Sequence, residues 1–483
     1  MPGVIVSTSV RTGPVGAQVA PAASFFVAGF AERGPADEYV SVTSISEFED
    51  VFGGRVAGSN LYDSIATFFE EGGARAYVAR VVGPSADSGA LNFGSSIGLT
   101  AKGPGTWSGD LFGKVTTAGG SSTVNLYYPT AGTLIYQSAA YDNVADLVSA
   151  INASSIASLY VTAAAGVSSS LPTSSASVAG FTAGDADSAA ITLAEHEAAL
   201  DLFIDSLGAG AVSLVELGTN AAHEVLLNHG YANNRIALLH STSTQTVNGA
   251  ISDSAAAALL DYAEYGALYY PWVKIPDGVT NGGTRSIPPD AYVAAKRSKV
   301  HTQTGAWAPS AGLVSVANYV AGLATEVGRT DGDTLNAANV NAIRVIQGSI
   351  RIYGARSVSS ESADFKFITA RDAINYITVA CKSTLEDLVF GVLDGRNAIF
   401  AEIASRLTAI IEPIRLAGGL YEAFDSTGKR VDYGYTVKCD NGLNPSAQLA
   451  EGTIKARVGL RVSTIGELIQ VDILKSNISG SLS

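Results

Sequence analysis

The stretch from Phe25 to Val82 constrains the chain path more tightly than any other segment. Phe25, Phe26 and Val27 are strand formers ended by Gly29, and Gly34-Pro35 is a turn signal. Ser44 and Glu47 make an S-x-x-E capping box that starts a helix with Phe48, Val51 and Phe52 on one face. Leu61, Ile65, Phe68 and Phe69 then repeat at helical spacing until Gly72-Gly73 stops them, and Ala76 to Val82 reads as a closing strand. Strand, helix, helix, strand is one compact unit, and on pattern alone it fits a piece of any α/β domain.

The 483 residues suffice for about two to four domains, and 47% hydrophobic content allows a core in each. A formal charge of -14 argues against a phosphate-tracking surface, so no direct nucleic-acid partner is expected. Cys381 and Cys439 fit neither a disulfide framework nor a zinc motif and are read as reduced core residues. Met1-Pro2-Gly3 precedes no basic, apolar leader, and no apolar run approaches the ~20 residues needed to cross a bilayer. Synthesis in a cytoplasm without membrane insertion is the expectation.

Residues 1–24 carry one charge, Arg11, and are punctuated by Gly3, Gly13, Pro14, Gly16 and Pro21. They read as an extended arm whose strand signal is Val4-Ile5-Val6 and whose hinge is Gly13-Pro14-Val15-Gly16. Twenty extended residues reach roughly 65 Å, far beyond the roughly 23 Å radius of gyration of a compact chain this long, so the arm can reach a neighbouring subunit. Residues 25–90 form the first part of a core. Residues 91–184, rich in Ser, Thr, Gly and Ala, read as an inserted β-rich domain, with strands at Val124 to Tyr128, Thr133 to Tyr136 and Ser158 to Thr162 and a helix from Asn143 to Ile151.

Residues 185–348 alternate helices and strands, with strands at Val212 to Leu217, Arg235 to His240 and Ala267 to Ile275. Residues 349–475 form a C-terminal module, and 476–483 a tail. In the module a first helix carries Phe367, Ile374, Ile377, Cys381 and Leu385, and a strand spans Leu388 to Leu393. A second helix, capped by Asp394 or Asn397, carries Ile399, Ile403, Leu407, Ile410 and Ile414. Three alternating strands follow around Tyr433 to Cys439, Ile454 to Val462 and Ile469 to Ile473. The fold class is therefore α/β (α+β), multidomain.

Motifs for chemistry fail on context. Gly94-Ser95-Ser96-Ile97-Gly98 satisfies G-x-S-x-G, and a hydrolase using Ser96 is the rival reading from another class. A nucleophile elbow needs a helix directly afterwards, where Gly103-Pro104-Gly105 stands instead. His223 and His229 are six residues apart, so they would not share a helical face, and His196, His240 and His301 are scattered. Asp331-Gly332-Asp333 lacks the downstream glutamate of an EF-hand loop and reads as a turn. The pair Glu70-Glu71 reads as solvating a turn. No catalytic residue, metal or cofactor is expected.

Several of these segments resemble contractile tail sheath proteins. The resemblance is carried by the G-x-x-x-x-G-P turn at Gly29 to Pro35, the S-x-x-E-F-x-x-x-F-G-G segment at Ser44 to Gly54, and F-F-x-x-G-G at Phe68 to Gly73. It continues in A-R-V-V ending at Val82, KGPGTW at Lys102 to Trp107, LYYPWVKIPDG at Leu268 to Gly278, RSIPPDAYVAA at Arg285 to Ala295, GAWAPSAG at Gly305 to Gly312, and IRIYGARS at Ile350 to Ser357. It implies a structural subunit and no enzyme. The subunit would polymerise around a tail tube as stacked hexameric rings and contract, with baseplate and tail terminator proteins as further partners, in the virion and, during assembly, the host cytoplasm.

It also implies that each C-terminal sheet is completed by strands from neighbours. Carried over by position, these are the arm strand at Val4, Ile5 and Val6 and the C-terminal strand at Ile469, Val471 and Ile473. Arg396, Arg406 and Arg415 are candidate tube contacts on the module that would face the tube. A bacteriocin or injection-system sheath, and a static lattice protein, are the related alternatives.

Overall fold

The computed structural model describes residues 22–278, 282–360, 364–393 and 395–467. At its centre lies an eight-stranded sheet: β1 Ser24–Phe30, β2 Val40–Val42, β3 Ala76–Val81, β4 Gly210–Leu214, β5 Arg235–His240, β6 Gly266–Tyr270, β7 Val340–Ile346 and β8 Ser349–Tyr353. The spatial order is β8-β7-β6-β5-β4-β1-β3-β2, parallel throughout except for the outermost strand on each side. β1, β4 and β5 are buried along almost their whole length, because helices cover both faces.

Alternation along β1 divides two cores. Phe25 and Val27 face α1 (Ile45–Phe52), α2 (Leu61–Glu70) and the later helix Asp290–Gln303. Phe26 and Ala28 face α3 (Leu193–Asp201), α4 (Asn220–Asn233) and α5 (Val247–Ala257). The buried helix Asp290–Gln303 is α6. Ser44 caps α1 as its spacing predicts, accepting from Glu47 N at 3.2 Å. The Glu47 carboxylate reaches back one residue further than a capping box requires, to Thr43 N at 2.7 Å.

Both edges of this sheet are blunted. β2 has only three residues. Beside β8, Ile352 N donates to Ser315 Oγ at 3.0 Å and Ala317 N donates to Ile350 O at 3.0 Å.

Residues 90–180 contribute two further sheets and a separate apolar cluster. One sheet joins Ala90–Phe93, Ile97–Ala101 and Val161–Ala165, and the other joins Phe112–Ala118, Ser121–Tyr127, Leu134–Gln137 and Ala179–Gly180. Their cluster includes Leu99, Leu111, Val124, Leu126, Leu147 and Val161. The chain enters and leaves side by side, with Gly83 N donating to Ala186 O at 2.9 Å.

Three sequence expectations are corrected. The strand read over Ala267 to Ile275 is two, β6 and Val273–Pro276, in different sheets. Pro271 stands between them, and a residue without an N–H cannot continue the ladder. Asp331-Gly332-Asp333 is no turn but lies in the helix α7, Arg329–Ala337, anchored by the fully buried Leu335. Leu388 to Leu393 is no strand: a short 3-10 turn, Glu386–Leu388, runs into irregular chain. No described strand lies beside it to supply a ladder, so its strand-forming side chains stay in solvent.

The module that follows is built on α8 (Ile368–Leu385) and α9 (Ala398–Leu416). Asn397 stands before α9 with φ +60 and makes no side-chain cap, and Asp394 lies outside the described residues.

Candidate assembly site

The apolar cluster between the helices and strands of the C-terminal module is small. It comprises Ile377, Ile411, Ile414 and Leu420, with Trp307, Tyr435, Val458 and Leu460 among the partly buried residues around it. Against the helices lies a two-stranded antiparallel sheet, β9 Tyr435–Lys438 and β10 Arg457–Leu460. Among the described residues no third strand lies on either side of this pair. Isolated two-stranded hairpins are marginal in water. The same module presents Val389, Phe390, Val392, Leu416, Tyr421, Phe424 and Val431 to solvent, with Phe390 fully exposed.

Ion pairs hold these parts together. The Arg415 guanidinium binds Glu412 and Glu422 and lies 5.0 Å from the Tyr433 ring centre, while the Tyr435 hydroxyl donates to Glu412 Oε2 at 2.8 Å. Arg415 and then the Tyr435 hydroxyl pull the Glu412 carboxyl down to about 2. Arg406 binds Glu402 and Asp387 and donates to Thr384 O at 3.0 Å, and Arg396 is exposed just before α9. Arg406 and Arg415, both read as tube contacts, are thus engaged within the module. Val4, Ile5, Val6, Gly13, Pro14, Gly16, Ile469, Val471 and Ile473 all lie outside the described residues.

The sequence motifs of the first eighty residues converge on one turn. Arg80, buried in β3, donates to Ala31 O at 3.0 Å, Gly34 O at 2.8 Å and Glu32 O at 3.2 Å. Gly34 has φ +100, which favours glycine. A Cβ on Gly103 would stand 2.0 Å from Gly34 O, so the glycines of KGPG admit a second backbone against the turn. Arg33, from the same turn, lies 4.8 Å from the Tyr160 ring centre and 5.6 Å from that of Tyr128, fixing residues 90–180 to the central sheet.

Ser96 sits in the hairpin turn between Ala90–Phe93 and Ile97–Ala101, with no helix following. The open cavity beside it, about 460 Å³, is lined by Asn92, Ser95, Ser168, Leu171 and other residues without a titratable side chain. It offers no general base. His196, His223, His229 and His240 are buried and hydrogen-bonded. No group of His, Cys, Asp or Glu among the described residues is arranged to hold a metal ion. No described helix is long and apolar enough to cross a membrane.

In open α/β sheets ligands bind where strand order reverses, here between β1 and β4. That crevice is filled: Glu216 accepts from Phe30 N at 3.4 Å and Ser59 Oγ at 3.0 Å, and Asn60 Nδ2 donates to Val215 O at 3.1 Å.

Sequence reasoning missed the buried charges. Glu71, read as solvating a turn, is fully buried. It accepts from the backbone N–H groups of Asn318, Tyr319 and Val320 at 2.7 to 3.1 Å and pairs with Lys296 at 2.6 Å. Arg235 donates to Phe203 O, Ile204 O and Gly208 O, and burial lowers its pKa to about 9. A charge inside an otherwise apolar strand, as in Arg80 and Arg235, was the available signal. Both cysteines are free but only partly buried, and burial pushes the Cys381 thiol up to about 11.

The fold is that of contractile tail sheath proteins. The anti-feeding prophage helical sheath, solved in its contracted state, aligns over 98% of this chain and 99% of its own, with TM-score 0.58 and 15% identity. The sheath of an extracellular contractile injection system, also contracted, gives TM-score 0.56 at 14% identity over 99% and 98%. The sheath tail protein of Listeria innocua gives TM-score 0.60 at 13% identity over 88% and 90%. No family model and no curated protein sequence matches the chain.

Proposed function

We propose that this chain is the subunit of a contractile tail sheath. It polymerises around a tail tube as stacked hexameric rings and shortens to drive the tube through a host envelope. The observation that carries this is the C-terminal module on a sheath-type fold: a two-stranded sheet over a four-residue apolar cluster, with apolar side chains left in solvent. Bare strand edges invite a strand from another chain. The arm strand Val4-Ile5-Val6 of one neighbour and the strand Ile469 to Ile473 of another complete that sheet, with Gly13-Pro14-Val15-Gly16 as hinge. Residues 91–184 form an outer domain. The partners are further copies, the tube protein, for which Arg396, Arg406 and Arg415 are the candidate contacts, and baseplate and terminator proteins.

The similar folds come from injection-system sheaths as well as from a sheath tail protein, which supports a phage tail and a phage-derived bacteriocin or injection system alike. Negative-stain electron microscopy of the purified full-length protein across salt and concentration tests the reading. Wide, striated hollow tubes are the expected result. Persistent monodisperse monomers, alone and with a co-expressed tube protein, would overturn it.

A further inference from the structure

After β10 the chain leaves the C-terminal module along a path pinned first to the module and then to the central domain. Arg461 N donates to Gly434 O at 2.8 Å, and its guanidinium pairs with Asp432 at 3.1 Å. Val462 bridges Leu420, and Ser463 N donates to Gly419 O at 3.0 Å. Ile465 then packs against the first core of the central domain. Glu467, the last described residue, makes a bidentate pair with Arg356, whose Nε and Nη2 donate to the two carboxylate oxygens at 2.9 and 2.6 Å. Arg356 is itself fixed: Nη1 donates to Asn336 O in α7 at 2.7 Å, and its backbone N–H donates to Asn341 Oδ1 in β7 at 2.7 Å.

This path matters because the simplest completion of the β9-β10 sheet is an internal one. Strands adjacent in sequence usually neighbour each other in space. Eight residues separate Leu460 from Ile469, more than a hairpin loop needs to return a strand beside β10. A chain closed in that way would need no neighbour. The residues such a turn would use are committed elsewhere, to Gly434, Leu420, Gly419, the first core and Arg356. The spacing of clamp and sheet is held as well: α8 starts in the first core at Ile368, Lys382 binds Asp205, and Arg371 Nη1 stands 3.7 Å from Glu264 Oε1. Surface ion pairs hold little unless their geometry is bidentate, and Arg356 with Glu467 has that geometry, its side chains only 14% and 26% exposed.

We propose that Arg356 and Glu467, with Ile465, are positioning residues that deny the C-terminal strand the open edge of its own module and deliver it to the module of a second copy of this chain. Two residues of extended chain span only about 7 Å, so a strand starting at Ile469 sets out from the central domain rather than from β10. Self-closure and exchange bury the same strand on the same kind of edge, so the connection decides between them, as in domain swapping. Delivery to a second copy rests on the sheath reading above; the block on self-closure does not.

Spin labels at Thr436→Cys on β9 and Asp472→Cys in the C-terminal strand, with Cys381→Ala and Cys439→Ser, report the strand's place in the full chain. A strand on either edge of the pair brings the labelled backbones within two or three strand spacings, roughly 10–15 Å. Free protein with the clamp intact should lack that short distance. Glu467→Lys and, separately, Arg356→Met should gain it in the free monomer and lose tubes; whichever of the two melts cooperatively supplies the comparison. In tubes of the intact clamp, mixed copies carrying one label each should show the short distance. Its presence in free protein with the clamp intact, or its absence from the clamp variants, overturns the block on self-closure, and its absence from mixed tubes overturns the delivery. Failure to form tubes overturns the sheath reading instead and leaves the free-chain comparison to decide the clamp.

Discussion

The central sheet and the C-terminal module solve the same problem with different completeness. The sheet has helices on both faces, two continuous cores and blunted edges. The module's apolar cluster has four buried members, no third strand lies beside its two-stranded sheet among the described residues, and Phe390 is fully exposed. Under the proposed sheath function, the described residues place folding stability in the first region and leave the second for association. Burial is worth roughly 25 cal/mol per Å² of apolar surface, so on the proposed function the apolar surface exposed among the described residues is where assembly would gain free energy.

The largest expected effect breaks the comparison outright. Deleting residues 1–20 should leave a folded, soluble monomer, because the described cores are built from residue 22 onward, yet abolish tube formation. Sedimentation and electron microscopy check it, and normal tubes from the truncated protein would remove the arm from the mechanism.

Next come the buried charges of the closed region. Glu71→Ala leaves three backbone N–H groups and the Lys296 ammonium buried without their acceptor. Breaking a buried pair from one side costs about 3–5 kcal/mol, read as a shift of the urea midpoint. A loss below about 1 kcal/mol, the range of exposed pairs, would mean that the region is less closed than described.

A matched pair of deletions then grades the two regions. Ile65→Ala in the first core and Ile411→Ala in the module each remove a fully buried side chain. Such truncations cost about 2–5 kcal/mol, more where the surroundings cannot collapse. Ile65 should fall at the upper end and Ile411 at the lower in free protein, with Ile411 costing more once tubes form. Equal losses in the monomer would deny the difference in packing.

Acid should act on the closed region first. Burial, helped by the neighbouring Arg235, lowers the His229 pKa from 6.5 to about 3. The unfolded chain therefore binds a proton between pH 6.5 and 3 that the folded chain refuses. Stability is full above pH 6.5 and declines as pH falls toward 3, by an amount on the order of a few kcal/mol. His229→Gln should flatten that decline in urea titrations at several pH values. Asp372, whose raised pKa shifts stability in the opposite direction as pH falls, makes His301 a poorer probe.

Legibility followed the same division. Where a strand is buried on both faces its sequence is a bounded apolar run, so Arg235 to His240 was read to the residue. The helices α1 and α9 were equally plain, since Phe48 and Phe52, or Ile403, Leu407 and Ile414, recur at 3.6-residue spacing, whereas α7 was read as a turn. Leu388 to Leu393 misled because strand-forming side chains express a strand only beside a partner strand. Glu71 misled because its acceptor role depends on residues 318–320, far away in sequence. An open strand edge is a property of the folded pairing and leaves no local mark on the chain, and the third strand expected at Ile469 to Ile473 lies outside the described residues.

The smallest effect separates the rim of the module from its frame. Arg406 is bonded to Glu402 and Asp387 on the surface, whereas Arg415 ties α9 to Glu422 and lies over Tyr433. Exposed ion pairs contribute little, so Arg406→Ala should leave the melting midpoint where it was. If Arg406 touches the tube, the same substitution weakens co-sedimentation of the protein with tube protein while tubes of the sheath alone still form. Arg415→Ala should do the reverse, lowering the midpoint because the strand-bearing segment loses its tether to α9. Identical behaviour of the two variants in both assays would mean that the rim and the frame of the module are one surface, and that the open region is organised differently from the account given above.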